Sequence, residues 1–307
     1  MPRRIAIFTK NRINPGYQGA RIGADRTAQR LGAVTSHYVP VRPDDVDDQI
    51  ALIDRAIGTR PDAVLFTPVH ETALNDAIVK FGAAHIPLVN IVARTTAGQR
   101  LCFVGSDDEA LGFDLARYLF DAMCGRGDVA IVEGADASPT SRARLAGFGK
   151  ALAHYPGIGV RLSLHGEYRR DIARQAWLQA ADRLANVDAV LCANDHMALG
   201  VLDALAERGI ARLPLIAGVN ATPDAIAAIA AGRMLASANF DAMAMGAIGM
   251  EAAMRYLDGE CVPPDIILPV QIVDRGNCAE WGRPFEERPC PVWDAVIARQ
   301  ASVSLRP

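Results

Sequence analysis

The sequence predicts an α/β protein with two doubly wound lobes, each built on a parallel sheet. Three observations support this. Short apolar segments rich in β-branched residues alternate with segments of helical periodicity along nearly the whole chain. The order of these segments repeats in two similar halves. The chain has 307 residues, which is more than a single hydrophobic core usually supports.

One stretch displays the repeating unit well. Residues 187–192 are mostly apolar and predict a buried strand, and Asn194 and Asp195 follow directly. In an open α/β sheet such residues lie at the carboxyl edge, where ligands bind. We expect Asp195 to cap the helix that continues through Leu205, which leaves the amide of Asn194 facing the ligand crevice.

The predicted elements alternate in order along the chain. The first half has strands at 4–9, 34–38, 63–66 and 87–91, and helices at 17–31, 46–57 and 73–83. A strand at 101–104 leads into the second series, which has strands at 129–132, 160–164, 187–192 and 213–219, and helices at 109–123, 141–153, 171–184, 195–208 and 223–231. A strand at 235–240, a helix at 243–257 and a strand at 266–270 come last, and the proline-rich tail from Asn277 is expected to be irregular. Since no low-complexity linker separates the halves, we expect the chain to cross between them more than once.

Composition and motifs exclude several functions. The net charge of −3, with no basic run, helix-turn-helix or zinc spacing, argues against a nucleic-acid partner. The sequence has no Gly-x-Gly-x-x-Gly, no phosphate-binding loop and no Gly-x-Ser-x-Gly elbow, and the histidines are scattered. We therefore predict no enzyme activity, catalytic residue, cofactor or metal ligand. A strand follows the first residues directly, so we expect neither a signal peptide nor a membrane anchor, which leaves the cytosol or an exported mature form.

The chain has six cysteines. None forms a Cys-x-x-Cys pair, and Cys102, Cys124 and Cys192 lie in apolar settings typical of buried thiols. Cys278 and Cys290 flank a short irregular stretch and are candidates for a disulfide in an oxidising compartment. The sequence leaves that pairing open.

Amides, arginines and tyrosines recur at the predicted strand ends of both halves. Planar amides and guanidinium groups form paired hydrogen bonds with neighbouring hydroxyls, and aromatic rings pack against the C–H faces of sugars. This mixture favours a neutral or anionic polyhydroxylated ligand. The candidate ligand-binding residues are Asn14, Tyr17, Arg94, Arg142, Tyr168, Asn194, Asn220 and Asn239.

Several of these segments also resemble a known family. They are Asn-Pro-Gly-Tyr at 14–17, Val-Gly-Ser-Asp-Asp-Glu-Ala-Leu-Gly at 104–112, Ser-Arg-Ala-Arg-Leu-Ala-Gly-Phe at 141–148, Ala-Asn-Asp-His-Met-Ala-Leu-Gly at 193–200 and Ala-Gly-Val-Asn at 217–220. From Arg4 to Trp281 the chain resembles the type I periplasmic sugar-binding proteins of the ribose-binding group. These share their fold with the effector domain of lactose-repressor-type regulators.

The resemblance implies two Rossmann-like lobes joined by a multi-crossing hinge, with residues 1–105 plus 239–265 in the first and 106–238 plus 266–307 in the second. A sugar, polyol or sugar acid is then held in the cleft by hinge closure. Asn14 and Tyr17 line the first lobe, Asn239 lies at the hinge, and the second lobe contributes Arg142, Tyr168, Asn194 and Asn220. The implied protein is a monomeric, periplasmic receptor that delivers its ligand to the membrane permease of an ABC importer. The alternative is a cytosolic or sensor-linked regulatory domain that responds to a sugar.

The chain departs from the family pattern at positions that matter for charge. Val92 and Ala93, followed by Arg94, stand where the family has an aspartate–arginine pair, and Asn220 stands where it has an aspartate. Asn239 stands where the family has a glutamine. With fewer acidic groups, either the ligand is itself an anion, or the cleft arginines are offset by acids such as Asp107, Asp108 or Asp241.

Overall fold

The computed structural model describes residues 1–304, which form two compact units. The first unit comprises Met1–Ser106, Asp241–Pro269 and the segment that begins at Phe285, and the second comprises Asp107–Phe240 and Val270–Pro284. The chain passes from one unit to the other at each of these breaks. Each unit contains a six-stranded sheet dominated by parallel pairs, so the predicted fold class is confirmed.

The sheet of the first unit is entirely parallel. Its strand order is β11-β5-β4-β3-β1-β2. In such a doubly wound order the crevice lies where the strand sequence reverses, beside the carboxyl end of β1. The strands are β1 (Arg4–Phe8), β2 (Val34–Tyr38), β3 (Ala63–Phe66), β4 (Leu88–Ile91), β5 (Arg100–Gly105) and β11 (Asp265–Ile267).

The helices of the first unit are α1 (Pro15–Arg30), α2 (Val46–Gly58), α3 (Asn75–Ala83), α9 (Ala242–Leu257) and α10 (Trp293–Ser304). On one face of the sheet, Phe8, Tyr38, Phe66 and Phe81 form an aromatic core, and the Phe8 and Tyr38 rings stack with centroids 4.9 Å apart. Helices α1 and α9 pack so closely that a Cβ on Gly23 would lie 2.0 Å from the Met243 carbonyl oxygen.

The second unit repeats this arrangement with one reversed strand. Its order is β12-β10-β9-β8-β6-β7, and only the β10–β12 pair is antiparallel. The strands are β6 (Arg126–Glu133), β7 (Gly157–His165), β8 (Ala189–Cys192), β9 (Leu215–Val219), β10 (Ala236–Asn239) and β12 (Gln271–Asp274).

The helices of the second unit are α4 (Asp108–Ala122), α5 (Pro139–His154), α6 (Arg170–Ala180), α7 (Asp195–Glu207) and α8 (Pro223–Ala230). Trp177, Met197 and Ile229 belong to the buried cluster that α6, α7 and α8 form with the sheet. Helices α4 and α5 come into close contact at Gly147. Only glycine fits there, because a Cβ would lie 2.2 Å from the Glu109 carbonyl oxygen.

The carboxyl-terminal part differs from the sequence-based expectation in three ways. The strand predicted at 266–270 is two short strands, β11 and β12, which belong to different sheets. The tail expected to be irregular contains two 3₁₀ helices, Cys278–Trp281 and Phe285–Glu287, and then α10. The expected placement of 266–307 in the second lobe is also wrong for the parts from Ile266 to Pro269 and from Phe285. β11 pairs with β5, and the Phe285 ring packs on Gly19 of α1.

All six cysteines are free thiols in the structure. Cys102, Cys192 and Cys278 are buried, whereas Cys124 is exposed, contrary to the expected apolar setting. Cys124 follows the end of α4 in a left-handed conformation, with φ of 57°, which turns it toward solvent as the helix ends.

Candidate functional site

In the first unit, polar groups cluster after β1. Asn14 is the N-cap of α1, and its side-chain oxygen accepts a hydrogen bond from the Gly16 amide at 2.9 Å. The backbone amide of Asn14 in turn donates to Asn11 Oδ1 at 2.9 Å, and Asn11 Nδ2 donates to Asp44 Oδ1 at 3.0 Å. Tyr17 is buried in the first turn of α1. These bonds fix the backbone of the loop at the carboxyl end of the strand.

Arg94 lies after β4 and is engaged by its own unit. The chain turns there through Val92, whose φ of 71° is unusual for a β-branched residue. The Arg94 guanidinium forms a short hydrogen bond with Asp265 of β11 and lies 3.8 Å from the centroid of the Phe103 ring. Asp265 therefore occupies the role of charge partner to Arg94, which the sequence reading did not foresee.

The second unit places two arginines of α5 in different environments. Arg144 is buried, and it donates from Nε to Asp108 and from Nη1 to the Ala193 carbonyl, each at 2.7 Å. Arg142 is exposed, and its Nη1 donates to the carbonyl oxygen of Asp136 at 3.0 Å. Arg144 is thus a structural residue, whereas Arg142 presents its guanidinium at the surface of the sheet edge.

Tyr168 follows β7 in a left-handed conformation, with φ of 56°. Its hydroxyl lies 3.0 Å from Thr140 Oγ1, which in turn lies 2.9 Å from Ser138 Oγ. The ring packs on Gly134, where an added Cβ would lie 2.3 Å from Tyr168 Cζ. Burial raises the pKa of the Tyr168 phenol. The side chain is therefore a neutral donor and acceptor on a fixed ring.

The structure corrects the prediction for Asn194 and Asp195. Asn194, not Asp195, is the N-cap of α7, and its Oδ1 accepts from the Met197 amide at 2.9 Å while Nδ2 donates to the Tyr168 carbonyl at 3.2 Å. Asp195 is fully buried and accepts hydrogen bonds from the Thr222 amide at 2.8 Å and from Ser237 Oγ at 2.7 Å. The reason is that Asp195 is already the first residue of α7, so the residue before it takes the cap.

Burial raises the pKa of Asp195 to about 6, although its hydrogen bonds to Ser237 and Thr222 and the positive charge of Arg144 oppose that shift. These contacts tie the start of α7 to β10 and to the loop after β9. The buried Asp195 carboxylate therefore holds these segments together at the carboxyl edge of the second sheet.

Asn220 and Asn239 lie at the ends of neighbouring strands of the second unit. Asn220 follows β9 with φ of 118°, and its backbone amide donates to the Ala238 carbonyl at 2.9 Å. Asn239 ends β10, where it is buried and pairs in register with Gln271 of β12. Asn239 thus belongs to the second unit, whereas the sequence assigned residues from 239 onward to the first lobe.

Taken unit by unit, the carboxyl edge of the first sheet carries Asn14, Tyr17 and Arg94, and that of the second carries Arg142, Tyr168, Asn194, Asn220 and Asn239. Asn194 and Tyr168 are in direct contact. Sequence reasoning missed the supporting residues Thr140 and Ser237, and it named Asp108 only as an acid that could offset the cleft arginines. Thr140 is signalled by the Ser-Pro-Thr-Ser segment that opens α5, but the partners of Asp108 and Ser237 lie far away in the chain.

Within the part of the chain that the structure describes, none of the helices combines the length and the apolar character needed to cross a bilayer.

Comparisons with known proteins agree with this fold. The model of the periplasmic binding protein domain family matches residues 5–261. A provisionally named rhizopine-binding protein of Rhizobium meliloti is 30% identical over 250 residues, which are 77% of this chain and 79% of that protein. The D-allose-binding periplasmic protein of Escherichia coli (strain K12) is 25% identical over 278 residues, which are 88% of this chain and 89% of that protein.

A solved structure shows the same architecture. An ABC transporter periplasmic solute binding protein from Actinobacillus succinogenes, with bound D-allose, aligns with a TM-score of 0.85 at 25% identity and covers 90% of this chain and 99% of that chain. The family match extends from β1 to just beyond α9, which includes every candidate residue described above. The chain therefore belongs to the periplasmic binding protein domain family.

Proposed function

We propose that this protein is the solute-binding receptor of an ABC-type importer and that it captures a monosaccharide or a polyol. The observation that carries the proposal is the set of amide, phenol and guanidinium groups at the carboxyl edges of both sheets, in a chain of the periplasmic binding protein family. Of the relatives named above, one is named for binding rhizopine and the other for binding D-allose, which is a monosaccharide.

The side chains at the edge of the second unit suit hydroxyl groups. Arg142 offers a planar guanidinium that can bind two neighbouring hydroxyls, and the amides of Asn194, Asn220 and Asn239 each combine a donor with an acceptor. Tyr168 adds an aromatic ring that is held in place by Thr140. This pattern requires neither a nucleophile nor a general base, so we propose a binding function and no catalysis.

The charge partners favour a neutral ligand over a sugar acid. Asp265 forms an ion pair with Arg94, and Asp108 forms one with Arg144. Arg94, one of the two candidate arginines that the sequence left without an acidic partner, is therefore offset by an acid of its own unit. Asp108, one of the acids considered from the sequence, pairs with the structural Arg144.

We further propose a periplasmic location and delivery of the ligand to a membrane permease, with the protein acting as a monomer. Family membership supports this reading. A regulatory domain would share this fold. The two functions are distinguished by a transport assay in which the protein is expressed with its neighbouring genes, because only an importer receptor should support uptake of the ligand.

The decisive experiment is a titration of matched ligand pairs, each neutral sugar or polyol against its carboxylate. We expect tight binding of a neutral member, and a ligand present at 100 times its dissociation constant stabilises the fold by about 2.7 kcal/mol. Binding only of acids would contradict the neutral class, and no binding across pentoses, hexoses, inositols and polyols would contradict the function.

Arg142 provides the matched variant. Arg142→Ala should weaken binding by about 2 kcal/mol, or roughly 30-fold, because hydrogen bonds to charged groups contribute about 1.5–3 kcal/mol. Arg161→Ala is the control, since Arg161 is an exposed arginine of the same unit that pairs with Asp128 at 3.5 Å. Equal affinities of the two variants would remove Arg142 from the site.

A further inference from the structure

Three potential metal ligands meet at the ends of two adjacent strands in the second unit. Glu133 ends β6 and His165 ends β7, and the two residues are partners in the parallel register. Asp136 follows in the loop after β6. His165 Nδ1 lies 3.4 Å from Asp136 Oδ1 and 4.0 Å from Glu133 Oε2, and the ligand atoms of all three residues lie within 4.8 Å of one another.

The cluster has an excess of negative charge. Among the residues that the structure describes, neither Glu133 nor Asp136 has a lysine or arginine within ion-pair distance. Exposed acids elsewhere in this unit do, as Arg170 pairs with Asp203 at 2.6 Å and Arg174 with Glu207 at 2.5 Å. Two neighbouring carboxylates beside an imidazole form a favourable environment for a dication.

Other contacts hold the cluster in place. Ser163 of β7 forms a short hydrogen bond with Glu133 Oε1, which leaves Oε2 on the side of His165. The Gly166 amide donates to the Glu133 carbonyl at 2.9 Å, so the ends of the two strands are fixed to each other. Partners of this kind orient a carboxylate for metal binding and raise its affinity.

We propose that Glu133, Asp136 and His165 bind a divalent transition-metal ion. Zinc bonds of about 2.0–2.2 Å to nitrogen and oxygen in a tetrahedral site place the ligand atoms roughly 3.3–3.6 Å apart. The His165–Asp136 separation already satisfies this, and the exposed side chains close the remaining distances by rotation. The imidazole selects zinc, cobalt or nickel over calcium and magnesium, which prefer all-oxygen sites.

The site is connected to the proposed ligand contact. The carbonyl of Asp136 accepts the hydrogen bond from Arg142 Nη1, so an ion bound by the Asp136 side chain would fix the loop that holds this guanidinium. That consequence rests on the proposed function, whereas binding of the ion does not, and it is tested without sugar.

The experiment is calorimetric titration of the untagged full chain with zinc chloride, and with calcium chloride in parallel. We expect one zinc ion per chain and no calcium binding. His165→Gln and Glu133→Gln should each weaken zinc binding at least about tenfold, by analogy with the loss of supporting residues around metals. His154→Gln is the control, because His154 is an exposed histidine at the end of α5 that packs edge-on against Phe113.

Thermal unfolding of each variant without metal verifies that the fold is intact, since all three side chains of the cluster are near the surface. Titration of the folded variants then decides the proposal. Zinc binding that both variants leave unchanged, a wild type that binds no zinc, or equal binding of calcium would overturn it.

Discussion

Arg144 and Asp108 form an ion pair inside the second unit, with Nε and Oδ1 2.7 Å apart and side-chain exposures of 4% and 8%. The pair joins the first turn of α4 to the second turn of α5, and the Arg144 guanidinium carbon also lies 4.7 Å from the centroid of the Phe240 ring. Because both charges are buried away from water, each is stabilised by the opposite charge of its partner.

Removal of the arginine alone should therefore be costly. We expect Arg144→Met to lower the free energy of unfolding by about 3–5 kcal/mol, because it leaves the Asp108 carboxylate buried without its guanidinium. The double variant Arg144→Met with Asp108→Leu should recover much of that loss. Urea denaturation measures both. Lys150→Met, which breaks the exposed pair with Glu109, is the control, and an equal effect there would refute the role of burial.

Asp195 should make stability depend on pH. Its pKa rises from 3.8 to about 6 on folding, so between about pH 4 and pH 6 the folded state holds a proton that the unfolded state has lost. Stability from this group is thus present at low pH and falls as pH rises through that window, by up to about 3 kcal/mol. Asp195→Asn should abolish this component.

The measurement compares the free energies of unfolding of wild type and Asp195→Asn at about pH 4.5 and about pH 7. The wild type should lose stability relative to the variant at the higher pH. Asp182→Asn, at a side chain that is 97% exposed, should show no such change. A constant difference between wild type and Asp195→Asn would contradict the buried-acid account.

Two glycines of α5 provide a matched pair of substitutions. Gly147→Ala should destabilise the protein, because its Cβ would lie 2.2 Å from the Glu109 carbonyl oxygen and 2.6 Å from the Phe113 amide nitrogen. Gly149→Ala should stabilise it by up to about 1 kcal/mol, since a Cβ there meets nothing within 4 Å and alanine favours a helix. Thermal unfolding distinguishes the two, and shifts of the same sign would show that the α4–α5 packing is wrong.

The cysteines should react with alkylating reagents at very different rates. Cys124 and Cys261 are exposed, whereas burial raises the pKa of Cys102 to about 12 and also raises that of Cys192. Since the thiolate is the reactive form, iodoacetamide at about pH 8 should label the first two in the folded protein. Mass spectrometry after short exposure identifies the labelled residues. Labelling of Cys192 as fast as Cys124 would contradict its burial.

Much of the fold follows from the sequence because local patterns determine it. The apolar segment before Asn194 predicts β8 correctly, and the helix predicted at 17–31 is α1, which begins two residues earlier, at Pro15. Repetition of this pattern predicts the parallel sheets, since one helix separates most successive strands.

The remaining features depend on contacts between distant residues. A shift of one residue at the N-cap of α7 exchanges the roles of Asn194 and Asp195, and helix boundaries are rarely predictable to that precision. Asp265 reaches Arg94 only because β11 joins the first sheet. Glu133 and His165 have no spacing typical of a metal motif, and only the β6–β7 register makes them neighbours.

Each unit is built from chain segments that are not continuous in sequence, and this affects folding during synthesis. Helix α9 lies against α1 and against strands β3, β4 and β5 of the first unit, yet the ribosome synthesises it after residues 107–240 of the second. The earliest third of the nascent chain therefore waits, with one apolar face of its sheet incomplete, until that helix emerges. Neither unit corresponds to a continuous gene fragment, so a chain truncated after residue 106 would expose that face permanently.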